Sequence, residues 1–234
     1  MTGLTAVLFD LGRTLATPED WVGATARALD RIGLDGSRAA DVVAAASDAV
    51  GGPEGPSAGR EALDRWRHVW CSAVIEAMGL SGAAVEPTAA WLRHVVEAET
   101  LFRPPYPEVA AEIETLAAAG WRMAVISNND GRAAAKTAAI GLANRFELIL
   151  DSMIEDVAKP NPELLRRGAR RMGLAPAACA YVGNDHGADV VAAKEAGMFA
   201  VWINRAGEPS RDPRADLELH DLAGLAAALG APAR

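Results

Sequence analysis

Four places in this 234-residue chain carry side chains able to hold ions or react, each beside an apolar run or a proline turn. The run Leu4 to Phe9 stops at Asp10. A second, Val125-Ile126, stops at Ser127 and Asn128. Lys159 precedes Pro160, and the run Ala180 to Val182 opens onto Gly183, Asn184, Asp185, His186 and Asp189. A strand ending in clustered carboxylates needs a reason, because unpaired buried charge is costly. A hard divalent cation supplies one, since magnesium favours oxygen ligands. Ser127 has a plainer reading as a turn or helix cap, and Asp10 as a residue that merely ends a strand. Lys159 is one of only three lysines, with Lys136 and Lys194, so its place before the proline is harder to assign to an ordinary solvated surface.

For these residues to act together, strands must deliver them to one edge of a sheet. Leu4 to Phe9 reads as a buried parallel strand, and similar runs recur at Met123 to Ile126, Phe146 to Leu150, Ala180 to Val182 and Phe199 to Ile203. Helical patterns such as Glu108 to Ala119 and Pro162 to Met172 alternate with them. The expected fold is therefore α/β, a doubly wound parallel sheet with ligands at the carboxyl ends of its strands. Residues 16–103 break the alternation. They hold four helix-period segments, Glu19 to Ile32, Arg38 to Val50, Arg60 to Met78 and Pro87 to Phe102, with a Gly/Pro-rich loop at residues 51–56 and a closing Arg103-Pro104-Pro105-Tyr106-Pro107. The expected organisation is an α/β core of residues 1–15 and 104–234 with an inserted α-helical cap of residues 16–103.

Composition narrows the partners. Half the residues are hydrophobic and the formal net charge is −8, with no Lys/Arg block. Neither nucleic acid nor a membrane is expected as partner. A small molecule is, and an anionic one would need a local cation or an array of backbone N–H groups. Cys71 and Cys179 lie far apart in apolar segments and read as buried thiols rather than zinc ligands. The apolar run near the start is too short for a signal peptide or a membrane span, so the cytoplasm is the expected location. Either a monomer or a homodimer is compatible with the sequence.

Phe9-Asp10-Leu11-Gly12-Arg13-Thr14-Leu15 resembles the nucleophile loop of the haloacid dehalogenase superfamily, usually Asp-x-Asp-Gly-Thr-Leu. Val125-Ile126-Ser127-Asn128 is similar to its phosphate-binding Ser/Thr motif and Lys159-Pro160-Asn161-Pro162 to its lysine motif. Tyr181 to Asp189, followed by the helix to Met198, is similar to its acidic loop. All four stand in the family's order, and the helical insertion falls where the family carries a helical cap. The resemblance implies a phosphohydrolase acting on a small phosphorylated metabolite with Mg2+. Asp10 would be the nucleophile, with Ser127 and Lys159 completing the catalytic set. Gly12, Arg13, Thr14, Asn128 and His186 would line the phosphate and substrate. The metal shell would draw on Asp10, the backbone near Gly12, Asn184, Asp185 and Asp189, although Asp189 has an alternative as a ligand-orienting or helix-capping residue.

Three positions depart from that pattern. Gly12 stands where the family's phosphatases place a second Asp, a general acid/base whose loss typically removes about 10²–10⁴-fold of rate. Asn184 stands where many relatives are acidic, and Arg13 replaces the usual Gly. His186 is the one histidine inside a motif and a candidate replacement acid/base. The dehalogenase branch also lacks the second Asp but typically has Ser-Asn in place of Asn184-Asp185. The phosphonoacetaldehyde hydrolase branch needs a cap lysine, and Pro18 to Arg103 contains none. A catalytically weak or inactive binding protein is a further alternative. His68 and His94 are expected on solvated helix faces, and Trp21, Trp66, Trp70 and Trp91 in the packing of the cap.

Overall fold

The computed structural model describes residues 3–18, 20–52, 55–56, 59–101, 103–209 and 213–233. Glu19 and Phe102, where the sequence pattern would begin the first inserted helix and end the fourth, lie outside the described residues. So do Pro53 and Glu54 of the intervening loop. In chain order the elements are β1 (Ala6–Phe9), α1 (Trp21–Arg31), α2 (Ala39–Val50), α3 (Arg60–Ala77), α4 (Val85–Glu99), α5 (Val109–Ala118), β2 (Arg122–Ser127), α6 (Ala133–Ala139) and β3 (Leu148–Asp151). They continue with α7 (Ser152–Glu155), α8 (Glu163–Arg171), β4 (Cys179–Gly183), α9 (Val191–Ala196), β5 (Phe199–Ile203), β6 (Leu217–Leu219) and α10 (Leu225–Leu229).

The chain divides into two compact units, one of Met1–Pro18 with Arg103–Arg234 and one of Glu19–Phe102. The division differs by a few residues from 15/16 and 103/104. Ala16 bridges Pro105, and the Thr17 N–H donates to the Pro104 carbonyl at 2.9 Å, which ties residues 16 and 17 to the sheet unit.

In the sheet unit, six strands run in the order β3-β2-β1-β4-β5-β6, all parallel. Side-chain alternation along β1 explains the double winding. Val7 and Phe9 join Ile113 and Leu116 of α5 and Leu225 of α10 in one core, while Ala6 and Leu8 join Leu164 and Leu165 of α8 and Ala192 of α9 in the other. Both faces are covered, so the strands read as continuous apolar runs. The chain builds outward from β1 to β2 and β3, then returns to pair β4 on the other side of β1. Asp10 therefore lies at the topological switch point, where two diverging connections leave a crevice beyond the strand ends. Strand β6 escapes a sequence reading because Leu-Glu-Leu is too short to show a period. β3 begins two residues later than its apolar run, and Phe146 instead sets its ring edge against Phe9, with centroids 6.1 Å apart.

The second unit buries Leu29, Val42, Trp70, Val74, Ile75 and Leu92 among its four helices. Trp70 stacks on Trp66 at 6.1 Å and meets Trp21 edge-on at 5.8 Å, as expected of core tryptophans. Trp91 does not share that packing. It is 54% exposed, because Leu92 and Val95 of α4 take the inward face. His68 stands half-exposed beside Glu86, on a solvated face as expected. Both thiols are buried, and burial pushes Cys71 up to about 12 and Cys179 to about 11.

Helix α8 approaches β2 closely through Gly168. A Cβ there would stand 2.1 Å from Ile126 Cδ1. Gly168→Ala should cost about 1–2 kcal/mol of stability, overpacking outweighing the better helix propensity of alanine. Adding Ile126→Val, which removes the opposing methyl, should return most of that loss in urea unfolding.

Candidate active site

The site is assembled by the ends of β1, β2 and β4 and by the loop before α8. The Asp10 N–H donates to the Val182 carbonyl at 2.9 Å, continuing the β1–β4 ladder one residue past the strand. The backbone then turns tightly, with the Leu15 and Ala16 N–H groups both donating to the Leu11 carbonyl at 3.0 Å. Arg13 sits in that turn at φ 61°, a left-handed conformation that glycine adopts more easily. Its side chain is exposed.

Lys159 is the centre of the site. Its buried Nζ donates to Asp10 Oδ1, Asp189 Oδ1 and the Tyr181 hydroxyl, each at 2.7 Å. Ser127 Oγ donates to the same Asp10 oxygen at 3.0 Å. Tyr181 passes its own proton to the Ile126 carbonyl at 2.7 Å, so the phenol is satisfied on both sides. Burial pulls against the charged form of Lys159, yet the surrounding carboxylates hold its pKa well above the ordinary lysine value. Burial likewise raises Tyr181, which remains a neutral donor. Tyr181 had no assigned role from sequence, although a hydroxyl inside an otherwise apolar strand leading into an acidic loop is a legible signal.

Two carboxylates facing one ammonium leave the cluster with an excess negative charge. Burial pushes the Asp189 carboxyl up to about 6, against the pull of Lys159 and with the charge of Asp10 adding to the rise. Asp189 Oδ2 accepts the Asp185 N–H at 2.9 Å, so both its oxygens are engaged inside the protein. Gly183 makes room for it: a Cβ at that position would lie 2.3 Å from the Asp189 carboxyl carbon.

The remaining sequence candidates fall around this centre. Asn128 clasps the Lys159 backbone reciprocally, accepting its N–H at 2.8 Å and donating to its carbonyl at 2.9 Å. Both ends of its amide therefore position the lysine loop. The fully buried Thr14 hydroxyl donates to Asn184 Oδ1 at 3.3 Å, joining the loop after β1 to the loop after β4. Asp185 is exposed and caps the following turn through Oδ1, which accepts the Ala188 N–H at 2.9 Å. His186 is buried edge-on against Trp202, ring centroids 5.1 Å apart, and its Nε2 meets no hydrogen-bond partner among the described residues.

Among the described residues, no three His, Cys, Asp or Glu side chains form a ready-made cation cage. The donor chemistry nevertheless suits a hard cation. Asp10 and Asp185 each use only Oδ1 in hydrogen bonds to described residues, so a second carboxylate oxygen of each stands uncommitted at adjoining loops. Magnesium commonly takes only one or two protein carboxylates and completes its shell with water and substrate phosphate.

The model of the haloacid dehalogenase-like hydrolases matches residues 4–197. The chain belongs to that family. It is 34% identical over 172 residues to a phosphoserine phosphatase of Thermus thermophilus, covering 70% of this chain and 67% of that protein. A glyceraldehyde 3-phosphate phosphatase of Methanopyrus kandleri is 32% identical over 144 residues, covering 60% of this chain and 62% of the relative. The chain thus spans roughly two thirds of the length of these curated relatives. A solved 2-haloacid dehalogenase from Pseudomonas syringae superposes with a TM-score of 0.71 at 24% identity, covering 97% of this chain and 98% of that one, a likeness that shows the fold alone. Within the family, this chain is a phosphohydrolase, as its phosphatase relatives indicate.

Lys159→Met should be the most damaging conservative-volume change at the site. It leaves Asp10 and Asp189 facing one another without a counter-charge, at a cost of about 3–5 kcal/mol in denaturant unfolding. The Asp189 carboxyl gives a pH signature of its own. It titrates near 6 in the folded protein against 3.8 ordinarily, so it favours folding below about pH 4 and loses that contribution as the pH rises through 6. Asp189→Asn cannot titrate there and should gain stability relative to the parent between pH 4 and pH 7. A gap independent of pH in paired denaturation curves would show that the carboxyl has ordinary acidity.

Proposed function

We propose that this chain hydrolyses a small phosphomonoester with the help of Mg2+, through an aspartyl-phosphate formed on Asp10. The observation that carries the reading is the fixed Asp10 carboxylate at the switch point, one oxygen held by Lys159 and Ser127 and the other uncommitted. A carboxylate held in this way has its attacking oxygen oriented before substrate arrives.

In the first step an Asp10 oxygen attacks phosphorus in line, and the bond to the leaving oxygen breaks, so one difficult displacement becomes two easier ones. Lys159 and Ser127 hold nonbridging oxygens as charge shifts. Water then attacks the phosphoryl group and regenerates the carboxylate. Mg2+, when bound, would be held by Asp10, Asp185 and the Gly12 carbonyl, with Asn184 beside them, and would offset the repulsion between carboxylate and phosphate. Asp189 acts from behind, holding Lys159 rather than the metal. Of the other candidates, Arg13 is the exposed one that a substrate could meet, while Thr14 is spent on Asn184 and His186 on packing against Trp202. Asp185 favours this chemistry over dehalogenation, which has no use for a metal carboxylate. The cytoplasm and a small phosphorylated metabolite complete the reading, with the protein acting as a monomer or homodimer.

The test is phosphate release from a panel of phosphorylated metabolites, with Mg2+ and with a chelator. Release should require the metal, and Asp10→Asn should lower kcat by about 10⁴-fold or more. If no member of the panel yields phosphate, or if Asp10→Asn matches the parent, the reading fails.

A further inference from the structure

Of the three site carboxylates, Asp10 and Asp189 are buried and Asp185 is exposed. An exposed loop carboxylate offers an oxygen at a fixed place only if its backbone is held. The turn that follows is a single one of the rare π geometry, in which the Val191 N–H donates to the His186 carbonyl five residues back, a device that recurs at functional sites. Bracing comes from β5. Trp202 pairs in register with Gly183, the last residue of β4, so its side chain leaves the sheet level with the start of the loop. The indole Nε1–H donates to the Asn184 carbonyl at 2.9 Å, and the ring meets His186 edge-on with centroids 5.1 Å apart. One side chain, itself only 2% exposed, therefore holds the residues on both sides of Asp185. His186 Nε2 has no hydrogen-bond partner among the described residues, so contact with the indole, not a hydrogen bond at that atom, seats the ring.

From this geometry we propose that Trp202 is a positioning residue for Mg2+, fixing the backbone from which Asp185 offers its uncommitted oxygen. The proposal rests on the reading of Asp185 as a metal carboxylate and names what holds it. The peptide unit between Asn184 and Asp185 is planar, so tying both of its polar groups fixes the direction in which the chain enters Asp185. Its carbonyl is tied by Trp202, and its N–H donates to Asp189 Oδ2 at 2.9 Å. The two ties differ in kind. An indole N–H only donates, so the bond to the Asn184 carbonyl has one possible sense and cannot reverse. Asp189 in turn is gripped by Lys159 at 2.7 Å, which connects the same peptide to the buried centre of the site. Removing the indole N–H releases one of these two ties and leaves the other, so Asp185 keeps its place in the loop and loses its fixed direction.

The test is Mg2+ affinity of the full chain without substrate, measured by displacement of Mn2+ and followed through the EPR signal of the free ion. The parent should bind Mg2+, and Asp185→Asn should bind it more weakly. Trp202→Phe keeps an aromatic ring but no N–H, and should weaken Mg2+ about 10–100-fold, as loss of a partner that orients a metal ligand does. Val201→Ala is the packing control, because Val201 lies in the same strand but in the opposite core. It should lower stability in urea and leave Mg2+ affinity unchanged. Should Trp202→Phe fail to fold, benzothienylalanine at position 202 decides, since it keeps the shape of the indole and replaces only the N–H by sulfur; it too should weaken Mg2+. Parental affinity in either position-202 variant, while Asp185→Asn binds weakly, overturns the role of Trp202 and leaves Asp185 as the metal carboxylate. Equal weakening in Val201→Ala overturns it as well, because lost packing would then account for the effect. If the parent binds no Mg2+, or Asp185→Asn matches the parent, the reading of Asp185 fails and the proposal with it.

Discussion

The site is organised around one buried ammonium. Lys159 ties β1 to β4, because its three donors reach Asp10 beyond β1, Tyr181 within β4 and Asp189 in the turn that follows. Desolvating a lysine is expensive, and the expense is met by two carboxylates and a phenol rather than by one partner. The same arrangement fixes the Asp10 carboxylate. With one Asp10 oxygen held by Lys159 and Ser127, the other accepts no hydrogen bond from the described residues. The surplus negative charge that remains is what the proposed Mg2+ would neutralise.

Close approach is the second constraint. Gly183 lets the Asp189 carboxylate reach the strand end, and Gly168 lets α8 settle onto Ile126. At both, a methyl group would meet another residue. The amide of Asn128, expected beside the substrate, is spent on the Lys159 backbone.

Much of the architecture was legible because its signals are local. Apolar runs ending in Asp10, Ser127 and the loop after Val182 identified three strands and the edge on which they end, and helix-period patterns marked the four inserted helices. Trp91 was misplaced because apolar character alone does not say which way a residue faces when its neighbours Leu92 and Val95 claim the buried side. β6 was missed because three residues do not establish a period.

By itself, the sequence determined the fold class, the order of the chemical groups and the absence of a carboxylate at position 12. All of these follow from residue identity and spacing along the chain. Only the tertiary structure decided which groups meet. Lys159 is 149 residues from Asp10 and 30 from Asp189, so no local pattern records that these side chains share one space. Their partners are set by parallel pairing of β1 with β2 and β4 and by the space that glycines leave. Those are properties of packed surfaces rather than of neighbours in sequence.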